Sequence, residues 1–120
     1  MKIFVAGGAG YIGSRLAPDL LVHHYDVTVA DLMWFGNHLP EGVNLIEKDI
    51  FDLTAKDLEG FDQVIFLGGV SNDPMAEFSP STNFISNAAA PGYLAYIAKE
   101  AGVKRYIYAD SCSVYGYAAD

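Results

Sequence analysis

The chain has 120 residues, 52% of them hydrophobic and 18% charged, a balance that describes a folded globule and excludes a disordered chain. Seven Lys and Arg against fifteen Asp and Glu leave a formal net charge of −8. That excludes a nucleic-acid surface but not a dinucleotide, whose pyrophosphate can be held by backbone N–H groups.

The first predicted element is a strand over residues 2–6, whose apolar run Ile3-Phe4-Val5-Ala6 is cut by Gly7-Gly8 before it reaches the length of a signal peptide's apolar region. No targeting segment is expected, and no run approaches the roughly 20 apolar residues that span a bilayer. Next comes Gly7-Gly8-Ala9-Gly10-Tyr11-Ile12-Gly13, in which Gly8, Gly10 and Gly13 fit G-x-G-x-x-G between a strand and a helix. Such a turn lets a pyrophosphate approach the backbone, while the helix aims its unpaired N–H groups at the anion.

The helix is expected over about residues 11–22, kinked or broken near Pro18, with His23-His24 standing where a terminating glycine would be easy. A second strand, 26–31, ends on Asp31, about twenty residues beyond Gly10, the spacing of a carboxylate that accepts from an adenosine ribose. No Arg or Lys follows it through Gly42, so a 2′-phosphate would be repelled and NAD is expected rather than NADP. The stretch 32–42 reads as a loop whose Trp34 and Phe35 pack near the adenosine end.

Strands are expected at 43–47, 62–67 and 105–109, a short helix follows Thr54, and a longer Ala-rich helix over 86–101 is interrupted at Pro91 and closed by Gly102. Short apolar runs alternating with helical stretches predict an α/β domain built on a buried parallel sheet. One domain is expected over 1–120, at a length short for an enzyme with separate cofactor and substrate halves. Cys112, the one cysteine, excludes an internal disulfide, fits a cytoplasmic setting and reads as a packing residue. His23, His24 and His38 lack metal-ligand spacing, so no metal is expected. Asp73 and Glu77 read as solvated loop charges.

Together these residues resemble the extended short-chain dehydrogenase/reductases, the NAD-dependent epimerase/dehydratase group that acts on nucleotide sugars. The glycine turn is similar to that family's G-x-x-G-x-x-G. Lys48-Asp49-Ile50-Phe51-Asp52 resembles G-D-I-x-D, Leu67-Gly68-Gly69 resembles L-A-A, and Asn87 fits the helix asparagine. Ser111-Cys112-Ser113-Val114-Tyr115-Gly116 resembles the S-S-x-x-V-Y-G that ends the fifth strand. The resemblance covers the whole chain. It implies a Rossmann-type doubly wound sheet, incomplete at about five strands, in the order 3-2-1-4-5. It further implies NAD contacts from Gly7, Gly10, Tyr11, Ile12, Gly13, Asp31, Leu32, Asp49, Ile50, Leu67, Gly68, Gly69, Asn87 and Ala109. Asp49 would meet the adenine amino group, and Ser111 would be catalytic, hydrogen-bonding the oxygen being oxidised in a nucleotide-sugar substrate.

Phe66, Asp110, Pro91 and Ala88-Ala89-Ala90 depart from the family's His, Ser, Thr and V-x-G, which leaves the subfamily and the sugar open. The family's general acid/base is a Tyr with a Lys four residues later, and no tyrosine of this chain has one. The chain therefore resembles the N-terminal, NAD-binding part of a longer enzyme, inactive by itself and without the C-terminal substrate domain. A non-catalytic dinucleotide-binding or redox-sensing module stands as the alternative. Arg105-Tyr106-Ile107-Tyr108-Ala109, read as an edge strand with one charge and no Pro, predicts a homo-oligomer formed by strand pairing, or loss of solubility, unless further chain covers it.

Overall fold

Ile3, Phe4, Val5 and Ala6 are at most 2% exposed, as a strand covered on both faces requires. The computed structural model describes residues 1–34, 36–69 and 79–110. In it β1 (Lys2–Ala6) lies at the centre of one parallel sheet with β2 (Asp26–Asp31), β3 (Asn44–Glu47), β4 (Gln63–Phe66) and β5 (Arg105–Tyr108). The order is β3-β2-β1-β4-β5, so the winding reverses between β1 and β4, where sheets of this kind open a crevice at the carboxyl ends of their strands.

The helices are α1 (Tyr11–Val22), α2 (Ala55–Leu58), α3 (Pro80–Phe84) and α4 (Ala90–Glu100), with a 3₁₀ turn at Ile50–Asp52 and a π turn at Ile85–Ala89. Alternate strand residues feed two cores. Ile3, Val5, Val27, Val29 and Ile65 pack with Leu16, Leu20 and Leu21 of α1. Phe4, Ala6, Ala30, Val64 and Phe66 pack with Leu58 of α2 and with Leu94 and Ile97 of α4. The three-layer arrangement follows from this period-two division.

Three local expectations are corrected. First, α1 runs unbroken through Pro18. Its one missing N–H costs less than the packing of Leu16, Leu20 and Leu21 against the sheet supplies. Second, the long helical stretch starts at Pro80 rather than at residue 86, and Pro91 does not interrupt it. Pro80 sits in the first turn, where a missing N–H is harmless. Just ahead of Pro91 the backbone widens into the π turn, with the Ala90 N–H donating to the Ile85 carbonyl. Third, β3, β4 and β5 are shorter than expected, leaving Val43, Asp62, Leu67 and Ala109 outside the strands.

Both long helices end in the same motif. After α4, Gly102 takes a left-handed φ of 81°, its N–H donates to Lys99 O at 3.1 Å, and Val103 N–H reaches Ala98 O at 3.0 Å. After α1, His24 occupies the equivalent left-handed position with φ 63°, its N–H donating to Leu21 O at 2.9 Å and Tyr25 N–H to Leu20 O at 3.2 Å. A β-carbon is unfavourable there, whereas glycine is not. His24→Gly is expected to raise stability by about 0.5–1 kcal/mol, the left-handed cost less glycine's greater unfolded-state freedom. Thermal unfolding checks this, and a lowered Tm would mean that the His24 ring contributes more than its backbone costs.

β5 forms one edge of the sheet among the described residues, with Ile107 38% and Tyr108 43% exposed. No helix among the described residues is long and apolar enough to cross a membrane.

Candidate functional site

A cleft of about 390 Å³ opens at the carboxyl ends of β1, β2 and β4. Its floor is Gly7 and Gly10. At the β2 side it is lined by Asp31, Leu32, Trp34, Lys48, Asp49, Ile50 and Phe51, and at the β4 side by Leu67, Gly68, Gly69, Thr82, Ile85, Ser86 and Ala90. Nine of the residues expected from the sequence to contact a cofactor thus share one cavity: Gly7, Gly10, Asp31, Leu32, Asp49, Ile50, Leu67, Gly68 and Gly69. Trp34 also lies there, 72% exposed.

The turn's glycines have different jobs. Gly7 has φ 75°, and a β-carbon on it would come within 2.5 Å of the Gly68 backbone, so β1 and the segment after β4 touch main chain to main chain. A β-carbon on Gly8 would meet Val29 Cγ2 at 2.9 Å, and one on Gly13 would collide with the Gly8 carbonyl. Gly10 alone faces open space, its nearest neighbour being Gly7 O at 3.7 Å. It begins α1 in extended conformation, with φ −79° and ψ −167°, and no acidic side chain occupies the helix's first turn. The first turn of α1 therefore adds no acidic side chain of its own beside its unpaired N–H groups.

Asp31 is held from two sides. One carboxylate oxygen accepts the Ala9 N–H at 3.0 Å and the other accepts the Met33 N–H at 2.8 Å, tying the carboxylate to the glycine turn and to the loop beyond β2. Met33 takes a left-handed φ of 63° to reach back, a conformation that side chains other than glycine adopt at a cost and that here accompanies the fixing of a candidate ligand group. Each carboxylate oxygen keeps further lone-pair capacity for a ligand hydroxyl. Asp49 heads the 3₁₀ turn, its Oδ1 accepting the Phe51 N–H at 3.0 Å. The Phe51 ring packs against Tyr93 at 5.7 Å.

Lys48 was not singled out as a cleft residue by sequence reasoning. Its position one residue beyond Glu47, the β3 partner of Asp31, places it in the lining of the cavity that Asp31 and Asp49 share, with its ammonium turned to Asp57. Its ion pair with Asp57 is long, at 3.9 Å, and 45% exposed on the lysine side, so it holds the ammonium weakly. Thr82, Ile85, Ser86 and Ala90 were also missed, because they enter only through the helix that starts at Pro80. Register in the sheet could have flagged Lys48; nothing local flags the others.

Other expected residues stand apart from the cavity. Tyr11 and Ile12 are 96% and 60% exposed, so any part they take in anion binding falls to their backbone at the start of α1. Gly13 is buried against Gly8 rather than lining the cleft. Asn87 lies behind the cleft wall: its Nδ2 donates to Asn83 Oδ1 at 2.7 Å, and its Oδ1 abuts the place where Gly69 would carry a side chain. Ala109 is exposed and donates its N–H to Phe66 O at 3.1 Å. Ser111, Cys112, Asp73, Glu77 and Phe35 lie outside the described residues. No group of three or more His, Cys, Asp or Glu that could hold a metal occurs among the described residues.

The sequence pattern described as the NAD dependent epimerase/dehydratase family matches residues 3–120. UDP-glucose 4-epimerase of Corynebacterium glutamicum is 32% identical over 120 residues, an overlap that takes in 97% of this chain and 36% of that protein. UDP-glucuronic acid decarboxylase 1 of Danio rerio is 26% identical over 125 residues, with 96% of this chain and 28% of that protein covered. Among solved structures, MoeE5 in complex with UDP-glucose and NAD superposes with a TM-score of 0.88 at 29% identity, over 98% of this chain and 39% of that one. The chain thus spans roughly a third of the length of the curated relatives it matches.

Proposed function

The chain belongs to the NAD dependent epimerase/dehydratase family, and from that premise we propose that its cleft holds NAD as the cofactor-binding portion of an enzyme acting on a nucleotide sugar. The observation that carries the reading is Gly10. Its side-chain position opens on empty cleft at the start of α1 while its neighbours in the turn are packed to contact, leaving a cradle that a pyrophosphate fits and a side chain would fill. NAD, when bound, supplies a nicotinamide ring able to accept a hydride from a sugar carbon and to return it.

The chain's own residues bind and orient. First-turn N–H groups of α1 hold the pyrophosphate, and Asp31, already fixed by Ala9 and Met33, accepts from the adenosine ribose hydroxyls. Asp49 receives the adenine amino group. Leu67, Gly68 and Gly69 let the nicotinamide ribose approach the backbone beyond β4. In this reading Ser111 donates a hydrogen bond to the sugar oxygen undergoing oxidation, and the proton acceptor is a residue outside these 120.

The experiment is a pair of assays on the purified 120-residue chain. Calorimetric titration is expected to show NAD binding, with NADP weaker. Stopped assays with UDP-, dTDP- and GDP-sugars are expected to show no turnover, since lack of a general acid/base costs ~10²–10⁴-fold in rate. Absent NAD binding would sink the reading of the cleft. Robust turnover that depends on Ser111 would show that a residue within the chain performs the proton transfer.

A further inference from the structure

The 3₁₀ turn at Ile50–Asp52 closes on two backbone hydrogen bonds, from Asp52 N–H to Asp49 O at 3.0 Å and from Leu53 N–H to Ile50 O at 3.1 Å. So short a piece of helix is not stable by itself, and its place in the molecule is set by what packs on it. Asp49, Ile50 and Phe51 all line the cleft, so whatever holds the turn also shapes the site.

Tyr93 of α4 meets this turn twice. Its hydroxyl donates to the Leu53 carbonyl at 2.6 Å, and its ring packs against the Phe51 ring with centroids 5.7 Å apart and planes tilted by 35°. Leu53 is fully buried, so its carbonyl depends on donors from the protein rather than on bulk water. The hold reaches Asp49 through Phe51, whose N–H donates to Asp49 Oδ1 at 3.0 Å and orients the carboxylate. The carboxylate keeps acceptor capacity for a ligand. Tyr93 also stands one helical turn beyond Ala90, which lines the cleft from the β4 side. One side chain thus ties the wall built by α4 to the wall built by the 3₁₀ turn.

We propose that Tyr93 is a positioning residue for base recognition: by tying the 3₁₀ turn to α4 it holds the Asp49 carboxylate where it accepts from an exocyclic amino group, so that the cleft selects a 6-aminopurine over a 6-oxopurine. This rests on the reading that the cleft holds NAD with its adenine at Asp49. The phenol acts through Leu53 and Phe51 and touches no ligand.

The test compares NAD with its hypoxanthine analogue, in which a ring carbonyl replaces the adenine amino group and offers Asp49 an acceptor instead of a donor. Calorimetry reads both affinities in the wild-type protein, Tyr93→Phe, Asp49→Ala and the double variant, with circular dichroism to follow folding and Tm. Wild-type protein is expected to favour NAD by about tenfold or more, the worth of a hydrogen bond to a charged group. Tyr93→Phe keeps the ring and drops the hydroxyl, and is expected to cut that preference by about threefold to tenfold, chiefly by weakening NAD. A merely structural role would lower Tm and weaken both dinucleotides alike, leaving their ratio unmoved. Asp49→Ala should abolish the preference, and adding Tyr93→Phe to it should not change the ratio further. An unchanged ratio in Tyr93→Phe, or a further change beside Asp49→Ala, would overturn the proposal. Wild-type protein that binds NAD and the analogue equally would overturn it too. Wild-type protein that binds neither would instead overturn the underlying reading of the cleft.

Discussion

Gly10→Val is expected to leave the domain folded and to abolish useful NAD binding. Gly10 has φ −79° and ψ −167°, an extended conformation that valine readily adopts, and nothing but Gly7 O approaches its side-chain position, at 3.7 Å. The loss in stability should therefore stay near 1 kcal/mol, the cost of a poor helix-starting residue. The added methyl groups would fill the space above the first turn of α1, so the phosphate loses charge-assisted hydrogen bonds worth about 1.5–3 kcal/mol each, and affinity should fall by roughly 100-fold or more. Gly13→Ala makes the contrasting control. Its β-carbon would collide with the Gly8 carbonyl, and because this contact sets how closely α1 packs on the sheet, the variant should lose about 3 kcal/mol or fail to fold. Circular dichroism with calorimetry separates the two outcomes. A folded Gly10→Val protein that binds NAD normally would mean that the cleft above α1 is not the pyrophosphate site.

Asp31→Asn is expected to weaken NAD by about 10- to 100-fold, because the ribose loses a charged acceptor whose hydrogen bonds are worth about 1.5–3 kcal/mol. The amide also meets backbone N–H groups from Ala9 and Met33 at both of its ends, and only its oxygen can accept, so its NH₂ must turn away from one of them. NADP should respond in the opposite direction. Removing the carboxylate relieves repulsion of a 2′-phosphate, so NADP affinity should rise. Parallel titrations with both cofactors read the ratio directly. An unchanged preference would show that Asp31 serves only to brace the glycine turn and the loop beyond β2.

What the sequence determined by itself about this protein was whatever depends on near neighbours. β1 and α1 fall at the expected residues because an apolar run, a glycine turn and a helical pattern are local signals, and Asp31 sits at the carboxyl end of β2 because its spacing from Gly10 follows from the length of one strand–helix–strand unit. Strand order came with the family resemblance rather than from periodicity, which reports faces and not neighbours. Tertiary structure decided the rest. Pro18 and Pro91 both read as helix breakers, yet α1 is held by its packing on the sheet, and the later helical stretch passes Pro91 by widening into the π turn. The glycines of the turn look alike in sequence, and only the approach of Gly68, Val29 and the Gly8 carbonyl divides the packed ones from Gly10, which faces the cleft. Lys48 joins Asp31 through the β2–β3 register, and Thr82, Ile85, Ser86 and Ala90 join Gly68 through a helix arriving from beyond β4. In each case the deciding partner is distant in the chain, and local propensity is blind to it because the energy that settles the conformation comes from the contact made on folding.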